Sequence, residues 1–159
     1  MSARFDLFAN ELATRFSKRF AAAALIIDQS TLAKSTRELV NIRASQINGC
    51  GFCTDMHTKD ATAAGETRLH LVAVWRETTV FTEAERAALA LTEEGTRIGD
   101  GSPGVTEETW ALVRAHYSDD EIAALVCLVG MINAATRMNV IVRNPAGAYE
   151  PGMFEAFAN

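Results

Sequence analysis

The sequence has few cysteines and prolines and no long apolar run near its start. Three cysteines among 159 residues are too few, and an odd number, for the disulfide framework of a small secreted protein. Three prolines and ten glycines exclude a collagen-like or low-complexity chain. The apolar run 20–27 follows two basic residues but is far shorter than the roughly 20 residues that span a bilayer. We therefore expect a globular, cytoplasmic protein without a targeting signal or membrane segment, in which 20–27 forms a buried helix.

Positive charge is also scarce. Fifteen Lys and Arg against twenty Asp and Glu give a net charge of −5, the wrong sign for a surface that neutralises nucleic-acid phosphates or anionic lipids. Neither nucleic acid nor membrane is therefore expected as a partner. Hydrophobic residues make up 48% of the chain, which is ample for the core of one domain.

Apolar residues recur at helical intervals, and no segment shows the sustained alternation of a strand. The pattern predicts an all-α single domain of about six to eight helices. An N-terminal stripe is predicted to lie on one helix face, in the core or in a subunit contact; its members are Phe5, Phe8, Leu12, Phe16 and Phe20.

Capping patterns predict helices that start behind Ser35, Thr82 and Ser118. Further helices are predicted over 50–64, 66–78 and 107–116, the last of them behind Thr106. The segment 99–104 is predicted to be a loop, and the chain from Pro145 onward an irregular tail. The tail aromatics need burial, for which a neighbouring subunit is one candidate; they are Tyr149, Phe154 and Phe157.

The reactive side chains concentrate between residues 38 and 57. Cys50 and Cys53 lie at a helix N-terminus, where unpaired backbone N–H groups stabilise a thiolate. His57 follows Cys53 by four residues and Cys50 by seven, so all three side chains share one helix face. Glu38 on the preceding helix can reach His57 if the two helices pack antiparallel. This arrangement predicts a proton relay from Glu38 through His57 to a cysteine.

Each of these residues also has a simpler interpretation. Cys50 and Cys53 could be inert core residues, which the spacing to His57 disfavours. Glu38 could complete a capping box with Ser35, and sequence alone favours that role, although the two roles can coexist. The cysteines, His57 and Glu38 could also bind zinc, but structural zinc sites usually draw a second ligand pair from a distant motif, and none is present.

Other polar residues on the longest helix are predicted to be structural. Cys127 lies in an apolar run and is expected to be a buried, inert thiol. Asn133, Arg137 and Asn139 interrupt the apolar side of that helix. We expect them to form a network between helices or subunits in preference to a catalytic role.

The sequence around the cysteine pair resembles the AhpD-like alkylhydroperoxidases of the carboxymuconolactone decarboxylase superfamily. The resemblance is carried by 37–40 (RELV), 43–50 (RASQINGC), Cys53 and 55–59 (DMHTK), with support from 75–77, 81–83, 85–90, 132–133, Arg137 and Asn139. It covers roughly residues 20–148. It divides the chain into an N-terminal helical extension (1–19), a main domain (20–148) and a C-terminal tail (149–159).

The resemblance implies a helical homo-oligomer, a trimer or a hexamer, with thiol peroxidase activity that needs no metal, haem or flavin. It implies that Cys53 attacks a small organic hydroperoxide and becomes a sulfenic acid, and that Cys50 resolves it as a disulfide. Glu38 and His57 would relay protons, and an external dithiol, such as a lipoylated or thioredoxin-like protein, would reduce the pair. Some members carry a further histidine between the cysteines, where this chain has Gly51 and Phe52.

Two other functions fit the sequence less well. One is a lyase or isomerase of the lactone decarboxylase branch, which generally lacks the cysteine pair. The other is a non-enzymatic helical oligomer whose thiol pair senses oxidants. Turnover distinguishes the sensor from the peroxidase, because a sensor is oxidised once and then stops.

Overall fold

A computed structural model describes residues 2–99 and 104–154 of the chain. Within these ranges the chain forms six α-helices and one 3₁₀ helix and no strand, which confirms the all-α class. The helices are α1 (Glu11–Asp28), α2 (Lys34–Ile47), α3 (Gly51–Ala63), the 3₁₀ helix (Leu69–Glu77), α4 (Glu83–Thr96), α5 (Glu107–His116) and α6 (Asp119–Val142). Residues 100–103, inside the predicted 99–104 loop, lie outside the described residues, and so does Phe157.

Three helix starts are confirmed in atomic detail. Thr82 and Ser118 each form a complete capping box, with Glu85 and Glu121 respectively. Thr106 caps α5 by accepting a hydrogen bond from the backbone N–H of Thr109. Each cap satisfies backbone N–H groups that would otherwise lack a partner in the first turn.

The segment between α3 and α4 differs from the predicted helix over 66–78. It is a 3₁₀ helix that begins at Leu69, and its backbone kinks at Val74, where φ is −120°. The kink places Trp75 in the core while Val74 stays exposed. Burial of the indole has overridden the continuous helical pattern of the sequence.

The N-terminal prediction was wrong in two respects. Phe5 and Phe8 precede the helix, because Asn10 caps α1 by accepting from the backbone N–H of Ala13 at 3.1 Å. The run 20–27 is not a buried helix either, since Ile27 is the one buried residue of α1 and Ile26 is 72% exposed. The division of the chain at residues 19 and 148 stays a prediction.

The core of the molecule surrounds α2 and α6, which pack against each other and against α4. The α2 residues Leu39, Val40 and Ile42 are almost completely buried. They face two apolar clusters, one containing Leu125 of α6 and the other Leu89 of α4. Helix α2 therefore has a fixed position, and so does the chain that leaves its C-terminal end.

Length and composition alone would allow α6 to cross a membrane, a test that the core helix of a soluble protein also passes. Here α6 packs against α1, α2, α3 and α4. Its polar residues are paired: Asn133 donates to Thr96 at 3.0 Å, and its Oδ1 accepts from Asn48 at 2.9 Å. The predicted network between helices is thus present for Asn133. The cytoplasmic location stays a prediction.

The described part of the C-terminal tail, up to Phe154, packs on its own chain. Tyr149 is 4% exposed, and its hydroxyl donates to the Asp60 carboxylate at 2.9 Å. Phe154 stacks on Tyr149 and on Phe8, and its ring lies 6.1 Å from that of Phe52. No neighbouring subunit is needed to bury Tyr149, because Asp60 of α3 and the ring of Phe154 lie against it.

Candidate active site

The cysteine pair lies at the corner between α2 and α3. Asn48 ends α2, and its side chain donates to Asn133 and, at 3.0 Å, to Thr136 of α6. Gly49 follows with φ +64°, a left-handed conformation that favours glycine. Cys50 then caps α3, its Sγ accepting from the backbone N–H of Cys53 at 3.3 Å. The corner therefore fixes one sulfur at the positive end of a helix.

The two sulfurs differ in their access to solvent. Both cysteines are buried, Cys50 at 2% and Cys53 at 1% exposure. Only Cys50 of the pair lines an open cleft of about 660 Å³. The cleft is lined by Ser45, Gln46, Gly49, Cys50, Gly51, Thr54, Asp55, Thr58 and Lys59. A small molecule that enters the cleft meets the Cys50 side of the pair.

The two thiols also differ in acidity. A hydrogen bond from the Cys53 thiol, the helix N–H groups and the nearby charge of His57 outweigh burial and lower the pKa of Cys50 to about 7. The same hydrogen bond, together with burial and the Cys50 charge, raises the pKa of Cys53 well above its usual range. The first proton that the pair loses is therefore that of Cys50, and Cys53 keeps its proton as the hydrogen-bond donor.

Glu38 and His57 form the predicted contact. Glu38 Oε2 and His57 Nδ1 lie 3.0 Å apart, and both side chains are about five-sixths buried. An ionised carboxylate only accepts, so Nδ1–H donates to Glu38 and the other ring nitrogen is left for proton exchange. Glu38 also borders a second, smaller cavity of about 200 Å³.

The capping role of Glu38 was wrong. Helix α2 begins at Lys34, with Ala33 at the N-cap position and no side-chain cap. Ser35 thus lies inside the first turn, and a capping box requires it before the helix. The earlier start follows from the burial of Leu32, whose backbone oxygen accepts from the Arg37 guanidinium. Glu38 is left free to contact His57.

Asn139 of α6, predicted to belong to a structural network, also contacts the cysteine pair. Its Nδ2 donates to Cys53 Sγ at 3.5 Å and to the backbone oxygen of Ala135 at 3.0 Å. Its Oδ1 accepts from Asn144 at 2.9 Å. The available signal was a polar side chain on an apolar helix, which does not indicate the group it contacts 86 residues earlier.

The tail is tied to the rim of the cleft. Asp55 accepts from the backbone N–H of Gly147 at 2.9 Å and from Lys59 at 3.1 Å. Lys59 also donates to the backbone oxygen of Tyr149 at 2.8 Å. These bonds hold the pKa of Asp55 below its usual range, mainly through the Gly147 N–H. Two residues that line the cleft, Asp55 and Lys59, are therefore held in place by hydrogen bonds to the segment 147–149.

The zinc interpretation finds no support in the described residues, among which no three His, Cys, Asp or Glu side chains converge as a metal site. Cys127, expected to be buried, is exposed on α6. It lies on the solvent side of the helix between Val126, which is also exposed, and the buried Leu128. The sequence showed an apolar run but not which side of α6 faces the core.

Comparison with known proteins identifies the family. The sequence profile of the carboxymuconolactone decarboxylase family matches residues 11–94, slightly more than half of the chain. The uncharacterised protein YdfG of Bacillus subtilis is 40% identical over 122 residues, covering 76% of this chain and 82% of YdfG.

Solved structures show the same fold. A protein of unknown function from Agrobacterium tumefaciens, provisionally assigned as the antioxidant defence protein AhpD, superposes with a TM-score of 0.84 at 32% identity, covering 93% of this chain and all of its own. The debrominase Bmp8 superposes with a TM-score of 0.75 at 17% identity, over 86% of this chain and 76% of Bmp8, and this shows the fold alone. The chain therefore belongs to the carboxymuconolactone decarboxylase family, as an AhpD-like member.

Proposed function

We propose that the protein is a thiol-dependent hydroperoxide reductase in which Cys50 and Cys53 alternate between a dithiol and a disulfide. The observation that carries the proposal is the placement of the pair: Cys50 caps α3 beside an open cleft, in hydrogen-bonding contact with Cys53. A thiolate at a cleft is the group that a peroxide needs, and a second thiol in contact is the group that a sulfenic acid needs.

The first step is attack of a thiolate on the peroxide. A sulfur–oxygen bond forms, the oxygen–oxygen bond breaks, and the alkoxide leaves as an alcohol after it takes a proton. We assign that proton to His57, because Glu38 orients the ring and His57 lies close enough to Cys50 to influence its thiol. The cysteine is oxidised by two electrons to a sulfenic acid, and the hydroperoxide is reduced.

The second step closes the disulfide. The remaining thiol attacks the sulfenic sulfur, a sulfur–sulfur bond forms, and the hydroxide leaves as water with the proton of that thiol. An external dithiol, supplied by a lipoylated or thioredoxin-like protein, then reduces the disulfide and becomes oxidised itself. On the protein side the two sulfurs exchange the electrons, and the pair formed by His57 and Glu38 relays the protons.

The identity of the attacking thiol is open to test. The family resemblance implies attack by Cys53. The geometry favours Cys50, because Cys50 lines the cleft and has its pKa lowered to about 7, while burial and Cys50 itself raise that of Cys53. We therefore propose that Cys50 attacks first and that Cys53 resolves.

Peroxide consumption tests the proposal. Cumene hydroperoxide loss is followed with excess dithiothreitol for the wild type and for Cys50→Ser, Cys53→Ser and Cys127→Ser, the last as the matched control. We expect many turnovers for the wild type and Cys127→Ser and none for Cys50→Ser. In a separate reaction without dithiothreitol, which would itself reduce a sulfenic acid, Cys53→Ser should consume one equivalent and retain a sulfenic acid on Cys50 that dimedone traps.

Each other outcome has a distinct meaning. Sustained consumption by the double variant that lacks both cysteines would sink the thiol mechanism. A single stoichiometric oxidation of the wild type would favour the oxidant sensor. Dimedone trapping on Cys53 in Cys50→Ser, with no trapping on Cys50 in Cys53→Ser, would restore the order that the resemblance implies.

A further inference from the structure

The environment of Cys53 contains a donor from outside the cysteine pair. Asn139 lies on α6, one turn before its end at Val142, and its Nδ2 is 3.5 Å from Cys53 Sγ. Cys53 is 1% exposed and does not line the cleft. The Cys53 sulfur is therefore in contact with protein groups, and one of them is the side-chain N–H donor of Asn139.

The hydrogen bonds of Asn139 determine which way its amide faces. One N–H of Nδ2 donates to the backbone oxygen of Ala135, and the second faces Cys53 Sγ. Oδ1 accepts from Asn144 Nδ2 at 2.9 Å. Turning the amide over would place Oδ1 against the Ala135 oxygen and Nδ2 against the Asn144 amide nitrogen, so two hydrogen bonds would become repulsive contacts.

Asn144 is itself fixed by the way α6 ends. Arg143 adopts a left-handed conformation with φ +55°, which closes the helix. The backbone N–H of Asn144 then returns to the backbone oxygen of Asn139 at 2.9 Å. Backbone and side chain of Asn144 therefore both bind the residue that faces Cys53.

A sulfur that accepts a fixed N–H is prepared to carry negative charge. In the resting pair Cys53 keeps its proton, so the donor contributes little at that stage. Cys53 becomes a thiolate when an attacking thiol opens the disulfide at Cys50, the sulfur that lines the cleft. Hydrogen bonds to a charged acceptor are about twice as strong as those between neutral groups.

We propose that Asn139 is a catalytic residue that stabilises the Cys53 thiolate when the Cys50–Cys53 disulfide is reduced, and that Asn144 positions its amide for this role. The inference rests on the dithiol cycle proposed above. A thiolate of the external dithiol bonds to Cys50 Sγ, and the electron pair of the broken sulfur–sulfur bond goes to Cys53 Sγ. The second thiol of the reductant then displaces Cys50 and the reductant becomes a disulfide, so two electrons enter the protein and both of its cysteines are released.

The test follows reduction of the disulfide without any peroxide. The protein is oxidised with diamide in a Cys127→Ser background and then reduced with dithiothreitol in a single turnover. Asn139→Ala and Asn139→Asp remove the donor, and we expect reduction about tenfold slower, as for loss of one charge-assisted hydrogen bond to a leaving group. Asn139→Asp should be the slower of the two because it also places a negative charge beside the departing thiolate.

Asn144→Asp tests the orientation while Asn139 is retained. A carboxylate at 144 can only accept, so it draws the Asn139 N–H away from Cys53 and should slow reduction in the same direction. Asn144→Ser, which keeps a donor at this position, should restore part of the rate. The urea midpoint of each variant is measured beside its rate. If an Asn139 variant does not fold, the rate of disulfide reduction in Asn144→Asp still tests the role of the Asn139 donor.

The outcomes separate this inference from the peroxidase proposal. Folded Asn139 and Asn144→Asp variants that are reduced at the wild-type rate would overturn the role of Asn139, and so would a wild type that forms no Cys50–Cys53 disulfide with diamide. If the Asn139 variants are reduced slowly but the wild type does not turn over peroxide, the role of Asn139 is supported and the hydroperoxide reductase proposal is refuted.

Discussion

Two sulfurs three residues apart have become chemically different through local contacts. Cys50 receives the N–H and thiol of Cys53, whereas Cys53 receives the N–H of Asn139. Position in the helix explains the first contact, because the N-cap residue accepts from the residue three positions later. The second contact depends on where α6 crosses α3. Residue spacing could therefore predict Cys50, Cys53, His57 and Glu38 as a group but could not predict the donor from α6.

The acidity of Cys50 is a prediction at the residue scale. In a Cys127→Ser background the ultraviolet absorbance of the thiolate should rise around pH 7, well below the value of about 8.5 for an unperturbed cysteine. Cys53→Ala removes the largest cause of the lowered pKa, the thiol donor, and should shift the rise to higher pH. Cys50→Ser serves as the blank and should show no rise near pH 7. A rise at the unperturbed value in the background protein would refute the assignment of the thiolate.

At the scale of the element, α2 is held in position by a residue of another helix that lies outside the site. Glu93 of α4 is 3% exposed and joins three elements. It accepts from Arg43 of α2 at 2.7 Å and from the indole N–H of Trp75 at 3.0 Å, and it pairs with the Arg76 guanidinium on the 3₁₀ helix. Arg43 also donates to Gln46, which lines the cleft. The position of α2 beside the cleft thus depends on a buried carboxylate.

Loss of this carboxylate should destabilise the fold. Glu93→Gln leaves the arginines without their buried partner and should lower the free energy of unfolding in urea by about 3 kcal/mol. Glu77→Gln, at an exposed position, is the control and should change it by less than about 0.5 kcal/mol. An equal effect of the two substitutions would contradict the assigned role.

The Glu93 carboxylate should also make the stability of the fold depend on pH in the acid range. Burial alone would raise the pKa of Glu93, but the donors from Arg76, Trp75 and Arg43 outweigh it and hold the pKa below its usual range. A lowered folded pKa gives stability that is present above the unfolded value of about 4.3 and is lost as pH falls through the folded value. The difference in stability between the wild type and Glu93→Gln should therefore shrink as the pH falls below about 4.

Helix starts differ in how well the sequence encodes them. Thr82 and Ser118 form the predicted capping boxes because each stands immediately before its helix. The same motif at Ser35 fails, since the burial of Leu32 begins α2 two residues earlier than the motif requires. Local motifs predict a helix end only where the chain that enters it is not fixed by the core.

At the scale of the whole molecule, one group of exposed apolar residues lies on two helices that touch each other. Leu12, Phe16 and Ile26 of α1 are 70%, 52% and 72% exposed, and four turns separate the first from the last, so they share one face. Helix α1 packs on α6, where Val126 and Ile141 are also exposed. The N-terminal stripe was predicted from periodicity. The side of α1 that faces the core could not be, because Ile26 and Ile27 are equally apolar.

These exposed side chains predict self-association, since exposed apolar patches of this kind mark contact surfaces. We expect the wild type to elute as a trimer or hexamer in size-exclusion chromatography with light scattering at micromolar concentration. Ile26→Lys places a charge at the most exposed apolar position of the α1 face and should shift the mass toward the monomer. Thr79→Lys introduces the same charge at an exposed position outside α1 and α6 and should leave the mass unchanged. A monomeric wild type would show that α1 faces solvent in the free protein, and equal dissociation of both variants would place the contact elsewhere.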